Sequence, residues 1–316
     1  MALISILCPC YNEAENLPLF WRTLSEALGD SQYEYEYIFV NDGSSDGTLE
    51  YLKRLASENA RVRAIDLSRN FGKEAALSAA IDFAAGDAVI PIDADLQDPP
   101  ELIPEMLRLW QEGFDVVEAQ RSDRASDTFG KRLTAHFFYR FHNKISSPKL
   151  TENAGDFRLM SRRVVDVIKK LPESQRFMRG LFAWAGFKTT VVQYVRPPRP
   201  AGETKYNYKS MWRLALDAIT SFSTLPLRLW SYIGAAISMT AFLGTLYIFV
   251  RTLVFGKDLP GYASTICLIL FLGGVQLLGI GILGEYLGRT YMEVKHRPLY
   301  VVADIYGENE GGDKKK

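Results

Sequence analysis

Two uncharged stretches late in the chain constrain it more than any other feature. Leu229–Val250 runs for about 22 residues, and Ser264–Leu283 for about 20, without an Asp, Glu, Lys or Arg. At 1.5 Å per residue each is long enough to cross a hydrocarbon layer roughly 30 Å thick. The competing reading is a pair of buried helices in a soluble core, which their exposure in the structure decides. Gly256-Lys257-Asp258-Leu259-Pro260-Gly261 is a short polar connection between them. Trp230, Tyr232 and Tyr286 lie near the ends, where interface aromatics are expected. Arg213 and Arg228 flank the first stretch, and Arg289, Lys295 and Arg297 the second, against Arg251 and Lys257 in between. That basic excess predicts both termini on the cytoplasmic side of an inner (plasma) membrane. The N-terminal segment agrees: it lacks a basic n-region and a small-residue cleavage site, and reads as a buried strand.

The chain before the apolar stretches has a different pattern. Strands are expected at Ile4–Cys8, Tyr35–Val40, Val62–Leu67, Ala88–Ile92 and Asp115–Ala119. Helices are expected at Glu15–Leu28, Thr48–Asn59, Lys73–Ala85 and Pro100–Glu112. Such alternation predicts an α/β domain with a mostly parallel sheet and helices on both faces. Ligands bind beyond the carboxyl ends of the strands in such sheets. Tyr11-Asn12-Glu13, Asn41–Asp46 and Asp93–Asp98 all fall at those ends. The basic, aromatic segment 131–145 reads either as a partly buried surface helix or as a membrane-proximal lid. Lys209–Leu225 has amphipathic spacing and is expected to lie in the membrane interface. The predicted organisation is a catalytic domain at 1–205, a juxtamembrane helix at 206–228, transmembrane helices at about 229–250 and 264–287, and a tail at 289–316, disordered from Gly307.

Composition excludes several classes. Lys plus Arg equals Asp plus Glu at 37 each, so no basic excess points to nucleic acid. The three cysteines, Cys8, Cys10 and Cys267, show neither a C-x-x-C spacing nor a disulfide framework. His136, His142 and His296 suggest no Ser-His-Asp arrangement.

Asp93-Ala94-Asp95 carries the chemistry. Two carboxylates directly after an apolar strand repel unless a cation lies between them. Hard oxygen donors with open coordination positions suit Mg²⁺ or Mn²⁺ holding a diphosphate. Gln97 and Asp98 add polar partners. Asp42 is either an Asx-turn residue or an acceptor for a nucleobase. Tyr11 is placed to stack on a base and Glu13 to accept from ribose hydroxyls, although each has a structural reading as well.

Seven ordered blocks now carry a resemblance. They are Cys-Pro-Cys-Tyr-Asn-Glu, Val-Asn-Asp-Gly-Ser-Ser-Asp-Gly-Thr, Ser-Arg-Asn-Phe-Gly-Lys-Glu, Asp-Ala-Asp-Leu-Gln-Asp-Pro-Pro-Glu, Gly155–Met160, Arg176–Gly180 and Gly202–Tyr206. Together they resemble glycosyltransferase family 2 with its GT-A, Rossmann-like fold. Within it the likeness is to the polyisoprenyl-phosphate branch, which includes dolichyl-phosphate mannose synthase and the bactoprenol (undecaprenyl-phosphate) glucosyltransferases. The resemblance implies inverting transfer of a hexose from a UDP-sugar, foremost UDP-glucose, to a polyprenyl phosphate. It further implies a divalent metal, Mg²⁺ or Mn²⁺, contact with the lipid bilayer and a homotetramer as one assembly. By that likeness Pro9, Tyr11, Glu13 and Asp42 would hold the uridine. Asp93 and Asp95 would hold metal and diphosphate, with Ala94 and Gln97 beside them. Arg121, Arg199 and Lys205 would neutralise phosphate, and Asp156 matches the family's proposed base. GDP-mannose, UDP-GlcNAc and a UDP-aminoarabinose derivative remain alternative donors, and a non-catalytic nucleotide-sugar scaffold an alternative function. A processive polysaccharide synthase would need more spans and a Q-x-x-R-W block.

Overall fold

The computed structural model describes residues 1–29, 31–122, 154–173, 176, 178–195, 197, 225–256 and 261–307. These fall into two compact units that divide after Ala218 and again after His296.

The first unit is built on one eight-stranded sheet. Its strands are β1 (Leu3–Cys10), β2 (Glu34–Asn41), β3 (Val62–Leu67), β4 (Ala88–Pro91), β5 (Val116–Arg121), β6 (Ala154–Ser161), β7 (Thr189–Tyr194) and β8 (Val302–Tyr306), in the order β7-β5-β6-β4-β1-β2-β3-β8. The pairs β1–β2, β1–β4, β2–β3 and β5–β7 are parallel, whereas β4–β6, β5–β6 and β3–β8 are antiparallel. The sheet is therefore mixed but mostly parallel. β1 is a run of Ile4, Ile6, Leu7 and Cys8 buried on both faces, which is why it reads as continuous rather than alternating. The crossover direction reverses between β1 and β4, and the carboxyl edge there is a topological switch point.

Helices α1 (Leu17–Leu28), α2 (Thr48–Glu58), α3 (Lys73–Phe83), α4 (Ile103–Gln111), α5 (Arg162–Lys170) and α6 (Met178–Trp184) complete this unit. α1 shows why such segments fold as they do. Leu17, Phe20, Leu24 and Leu28 recur at helical spacing, and all four are buried. α3 differs: Ala76 through Ile81 are buried without a break, so this helix is packed all round and lies against β1 and β2. The predicted helix 100–112 is instead a 3₁₀ turn, Pro100–Leu102, leading into α4.

β8 was not anticipated. Residues 302–306 pair antiparallel with β3, Ala64 opposite Tyr306, so part of the expected tail is the last strand of the sheet. Gly307 follows in the left-handed region at φ +84°, where a Cβ would come within 2.2 Å of the Val62 carbonyl oxygen.

The second unit is a helical pair, α7 (Leu225–Phe255) and α8 (Tyr262–Val294). Both are long and apolar enough to cross a membrane, over Leu229–Phe255 and Phe271–Val294, and neither window is buried inside the protein. Exposed Phe242, Leu243, Tyr247, Leu277 and Leu278 are unlike the core of a soluble domain. The buried-helix reading therefore fails for the described residues. Trp230 of α7 lies over Gly279 of α8, where a Cβ would meet the indole nitrogen at 2.1 Å, so a larger residue there would have to displace the Trp230 side chain. Residues 225–228, expected in the amphipathic segment, belong to α7. The rest of that segment and the basic segment 131–145 lie outside the described residues.

Candidate active site

The site forms where the loops after β1, β2 and β4 meet. The first two are tied to each other. Asn12 donates its amide to Ser44 Oγ at 3.0 Å and accepts Ser45 N at 2.8 Å, and Glu13 N donates to Thr48 Oγ1 at 2.9 Å. Asn12 sits in the left-handed region at φ +53°, a strained state that these bonds hold in place. Asp42 is buried and accepts Phe71 N at 2.7 Å and Gly72 N at 2.9 Å. It thereby pins the segment before α3 to the end of β2. Gly43 lies under that segment at φ +64°, and a Cβ there would meet Asn70 N at 2.4 Å. This clamp sets Lys73 at the first position of α3.

After β4 the chain does not stay extended. It turns at Ala94-Asp95, and Leu96 takes φ +55°. Asp95 therefore follows Asp93 through a turn, and its Oδ1 accepts Gln97 N at 3.1 Å. Asp98 is buried and accepts the Tyr194 hydroxyl at 3.0 Å. Burial, with Asp93 near, pushes Asp98 up to about 6. Tyr194 in turn bonds the Arg121 side chain. Its backbone oxygen also accepts Ser122 N at 2.9 Å, which fixes the end of β5.

Lys73 joins these parts. Its Nζ lies 2.7 Å from Asp93 Oδ2 and 3.0 Å from Asp156 Oδ2. Arg179 Nε lies 3.0 Å from the other oxygen of Asp156. Burial would raise the Asp156 carboxyl, but Arg179 and Lys73 outweigh it and hold the group well below the usual carboxylate range. Burial likewise opposes the Lys73 ammonium, yet Asp93 and Asp156 keep it well above its ordinary value. Asp156 is therefore a permanently ionised anchor for two cations.

Glu74, next along α3, accepts Met178 N at 3.3 Å. Burial, reinforced by Asp156 and opposed by Lys73 and Arg179, pushes it up to about 7. The unfolded chain titrates this group near 4.3, so the folded state binds more protons between about 4.3 and 7, and stability falls as pH rises through that window. Glu74→Gln removes this loss. Melts at pH 8 should show the variant more stable than wild type, on the order of 1 kcal/mol after solvent screening. The two curves should converge near pH 4.

The donor set fits a divalent cation shared with substrate. Asp93 and Asp95 offer hard oxygens at the mouth of the switch point. Among the described residues no group of three or more His, Cys, Asp or Glu is placed to hold a metal ion, so this pair would have to bind one with other ligands.

The structure thus gathers Asp93, Asp95, Asp156 and Arg121 with Gln97 and the buried Ala94. It sets Pro9 at the end of β1 and leaves Tyr11 beyond it 39% exposed. Glu13 accepts Asn16 Nδ2 at 2.7 Å and its carbonyl begins α1, so it serves the local turn as well. Arg199 and Lys205 lie outside the described residues. Sequence reasoning gave no role to Lys73, Glu74, Arg179 or Tyr194. Three of them lay in motif blocks already noticed, and only their company around Asp156 reveals a role.

Comparison with known proteins now decides the family. Residues 5–169 match the model described as glycosyl transferase family 2, and 225–290 match a GtrB C-terminal hairpin. The chain belongs to glycosyl transferase family 2. This transferase is 52% identical over 302 residues to a prophage bactoprenol glucosyl transferase homolog of Escherichia coli K12, covering 96% of this chain and 99% of that one. It is 53% identical to the bactoprenol glucosyl transferase of Shigella phage SfV, covering 95% and 97%. Among solved structures, the transferase is similar to the glucosyl-3-phosphoglycerate synthase of Mycobacterium tuberculosis in complex with Mn²⁺ and UDP-glucose. That likeness has a TM-score of 0.48 and 18% identity, covering 69% of this chain and 78% of the other. It is loose, and the family assignment does not depend on it. The mixed sheet with its switch-point site is the GT-A-like domain expected from the sequence.

Proposed function

We propose that this transferase moves glucose from UDP-glucose to undecaprenyl phosphate with inversion, giving a lipid-linked sugar for envelope glycosylation. The observation that carries the reading is the near full-length likeness to bactoprenol glucosyl transferases in a chain whose Asp93 and Asp156 share one lysine.

An oxygen of the lipid phosphate attacks the anomeric carbon in line, forming the new C–O bond as the bond to UDP breaks on the opposite face. Asp93 and Asp95 would hold Mg²⁺ or Mn²⁺, which would supply neutralisation of the charge gathering on the departing diphosphate. Pro9, Tyr11, Glu13 and Asp42 line the uridine side. Asp42 reaches the base with the lone pairs that the Phe71 and Gly72 amides leave. Ala94 and Gln97 shape the floor, and Arg121, Arg199 and Lys205 draw in phosphate. No proton has to be removed, because the second pKa of a phosphate monoester is about 6. Asp156 accordingly orients Lys73 and Arg179 and leaves the acceptor's protonation alone.

On this reading the catalytic domain and both termini share the cytosolic side, where the basic residues flanking the apolar helices favour them. Support comes from the chain path: after the second apolar helix the chain returns to the catalytic sheet as β8, so it crosses an even number of times. By the family resemblance the assembly is a homotetramer, and the catalytic domain at 1–205 is extended by β8 from the segment after the second apolar helix.

The test is a donor panel with purified protein in detergent, undecaprenyl phosphate and Mg²⁺ or Mn²⁺. Labelled lipid should form from UDP-glucose, need the metal and vanish in Asp95→Ala. Transfer from GDP-mannose or UDP-GlcNAc instead would change the donor. UDP binding with no lipid product from any donor would sink the transfer reading.

A further inference from the structure

Lys73 touches both halves of the site. Its ammonium is shared between Asp93, on the side assigned to the donor, and Asp156, which also holds Arg179. Its backbone cannot follow a moving ligand, because Asp42 fixes Phe71 and Gly72 just before it and Gly43 lies against Asn70. Only the flexible side chain can move, and a lysine ammonium is a compact point charge with freely turning donors.

We propose that Lys73 is the internal counter-ion of the divalent-cation site. It holds Asp93 while the cation is absent. It yields that carboxylate when the cation arrives with the donor, leaving its ammonium on Asp156 for the acceptor phosphate. The inference rests on reading Asp93 and Asp95 as the cation-binding pair. Three points carry it. First, the bond to Asp93 sets a positive centre on one oxygen of the carboxylate that would bind the cation, and two positive centres on one carboxylate repel at such range. Second, the charges are unequal: Asp93, Asp95, Asp98 and Asp156 face Lys73, Arg179 and, through Tyr194, Arg121, so the site keeps an excess of carboxylate that a divalent ion relieves. Third, the same ammonium already reaches Asp156, so its release from Asp93 needs a turn of the side chain and no backbone step. Lys73 is thus a positioning residue that couples donor binding to acceptor binding, and such coupling acts equally in both directions.

The experiment titrates Mn²⁺ into the full-length protein in detergent with UDP present, reading free Mn²⁺ by electron paramagnetic resonance. Lys73→Met removes the competing charge at similar length and should tighten Mn²⁺ binding about tenfold, the effect of about 1.4 kcal/mol. KM for undecaprenyl phosphate should rise severalfold while KM for UDP-glucose does not. Lys73→Arg keeps the charge and should return Mn²⁺ affinity towards wild type, which separates lost charge from lost shape. Equal or weaker Mn²⁺ binding in Lys73→Met overturns the inference alone. A wild-type protein that binds no Mn²⁺ with UDP overturns the cation-pair reading beneath it as well.

Discussion

Asp156→Asn should lower kcat for lipid-linked sugar formation by about 10²–10³-fold, the loss typical when a preorganised charge is removed from an active site. The effect is large because Asp156 is 13% exposed and holds Lys73 at 3.0 Å and Arg179 at 3.0 Å. Asparagine has nearly the same shape but leaves two cations facing one another without their shared anion. Donor binding, monitored as UDP affinity in the presence of Mn²⁺, should change far less. The pH profile tells an anchor from a base. Arg179 and Lys73 hold the Asp156 carboxyl well below the usual range, so it stays ionised throughout pH 5–9. An acid limb near pH 6 in kcat/KM for the acceptor is expected from the lipid phosphate, whose second pKa is about 6, and from Asp98, pushed up to about 6, and it persists in the variant. A limb near neutrality that disappears with Asp156→Asn but persists in Glu74→Gln, whose own carboxyl Asp156 helps push up to about 7, would identify Asp156 as a titrating base and sink the anchoring role.

The second large effect is on stability. Glu118 of β5 and Arg158 of β6 form an ion pair at 2.8 Å in which the side chains are 8% and 2% exposed. Arg158 also donates to the Gly155 carbonyl at 2.7 Å and stacks over Phe182 with its guanidinium carbon 4.5 Å from the ring centre. Arg158→Met would strand the Glu118 carboxylate in the core, which costs about 3–5 kcal/mol. For a domain of this size that lowers the melting temperature by on the order of 10 °C. Pairing it with Glu118→Leu should recover most of the loss, because a buried ion pair replaced whole by apolar groups is often neutral or better. A double variant as unstable as the single one would show that the Gly155 and Phe182 contacts matter more than the charge pair. Gly155 precedes Asp156, so the single variant should also depress transfer.

These two predictions mark the border between what was legible in the residues and what was not. The alternating elements from β1 to β5 can be read because each is a local matter: apolar period, turn residues at the ends, and enough length. Val62–Leu67 matches the expected strand end for end, and the others shift by one to three residues. The two apolar helices are legible for the same reason, since uncharged length is a property of consecutive residues. β6 escaped because its charged Asp156 and Arg158 interrupt the apolar run that marks a strand. Arg158 is tolerated inside only because Glu118, far away in sequence, is there to meet it. β8 escaped because a five-residue edge strand carries almost no periodic signal, and only the open edge of β3 gives it a partner.

The candidate site divides in the same way. By itself the sequence determined the class of chemistry: acidic and polar clusters at strand ends, a pair of carboxylates suited to a hard cation, and, later in the chain, two apolar helices long enough to cross a membrane. It did so because strand order and loop position follow from local patterning, and the carboxyl edge of such a sheet is where loops converge. Only the tertiary structure decided that Lys73 binds Asp93 and Asp156 together, that Arg179 completes the pair, and that Asp156 is an ionised anchor. Those are distances between segments remote in sequence. A carboxylate's charge state follows from the burial and the cations around it, which no stretch of sequence contains on its own.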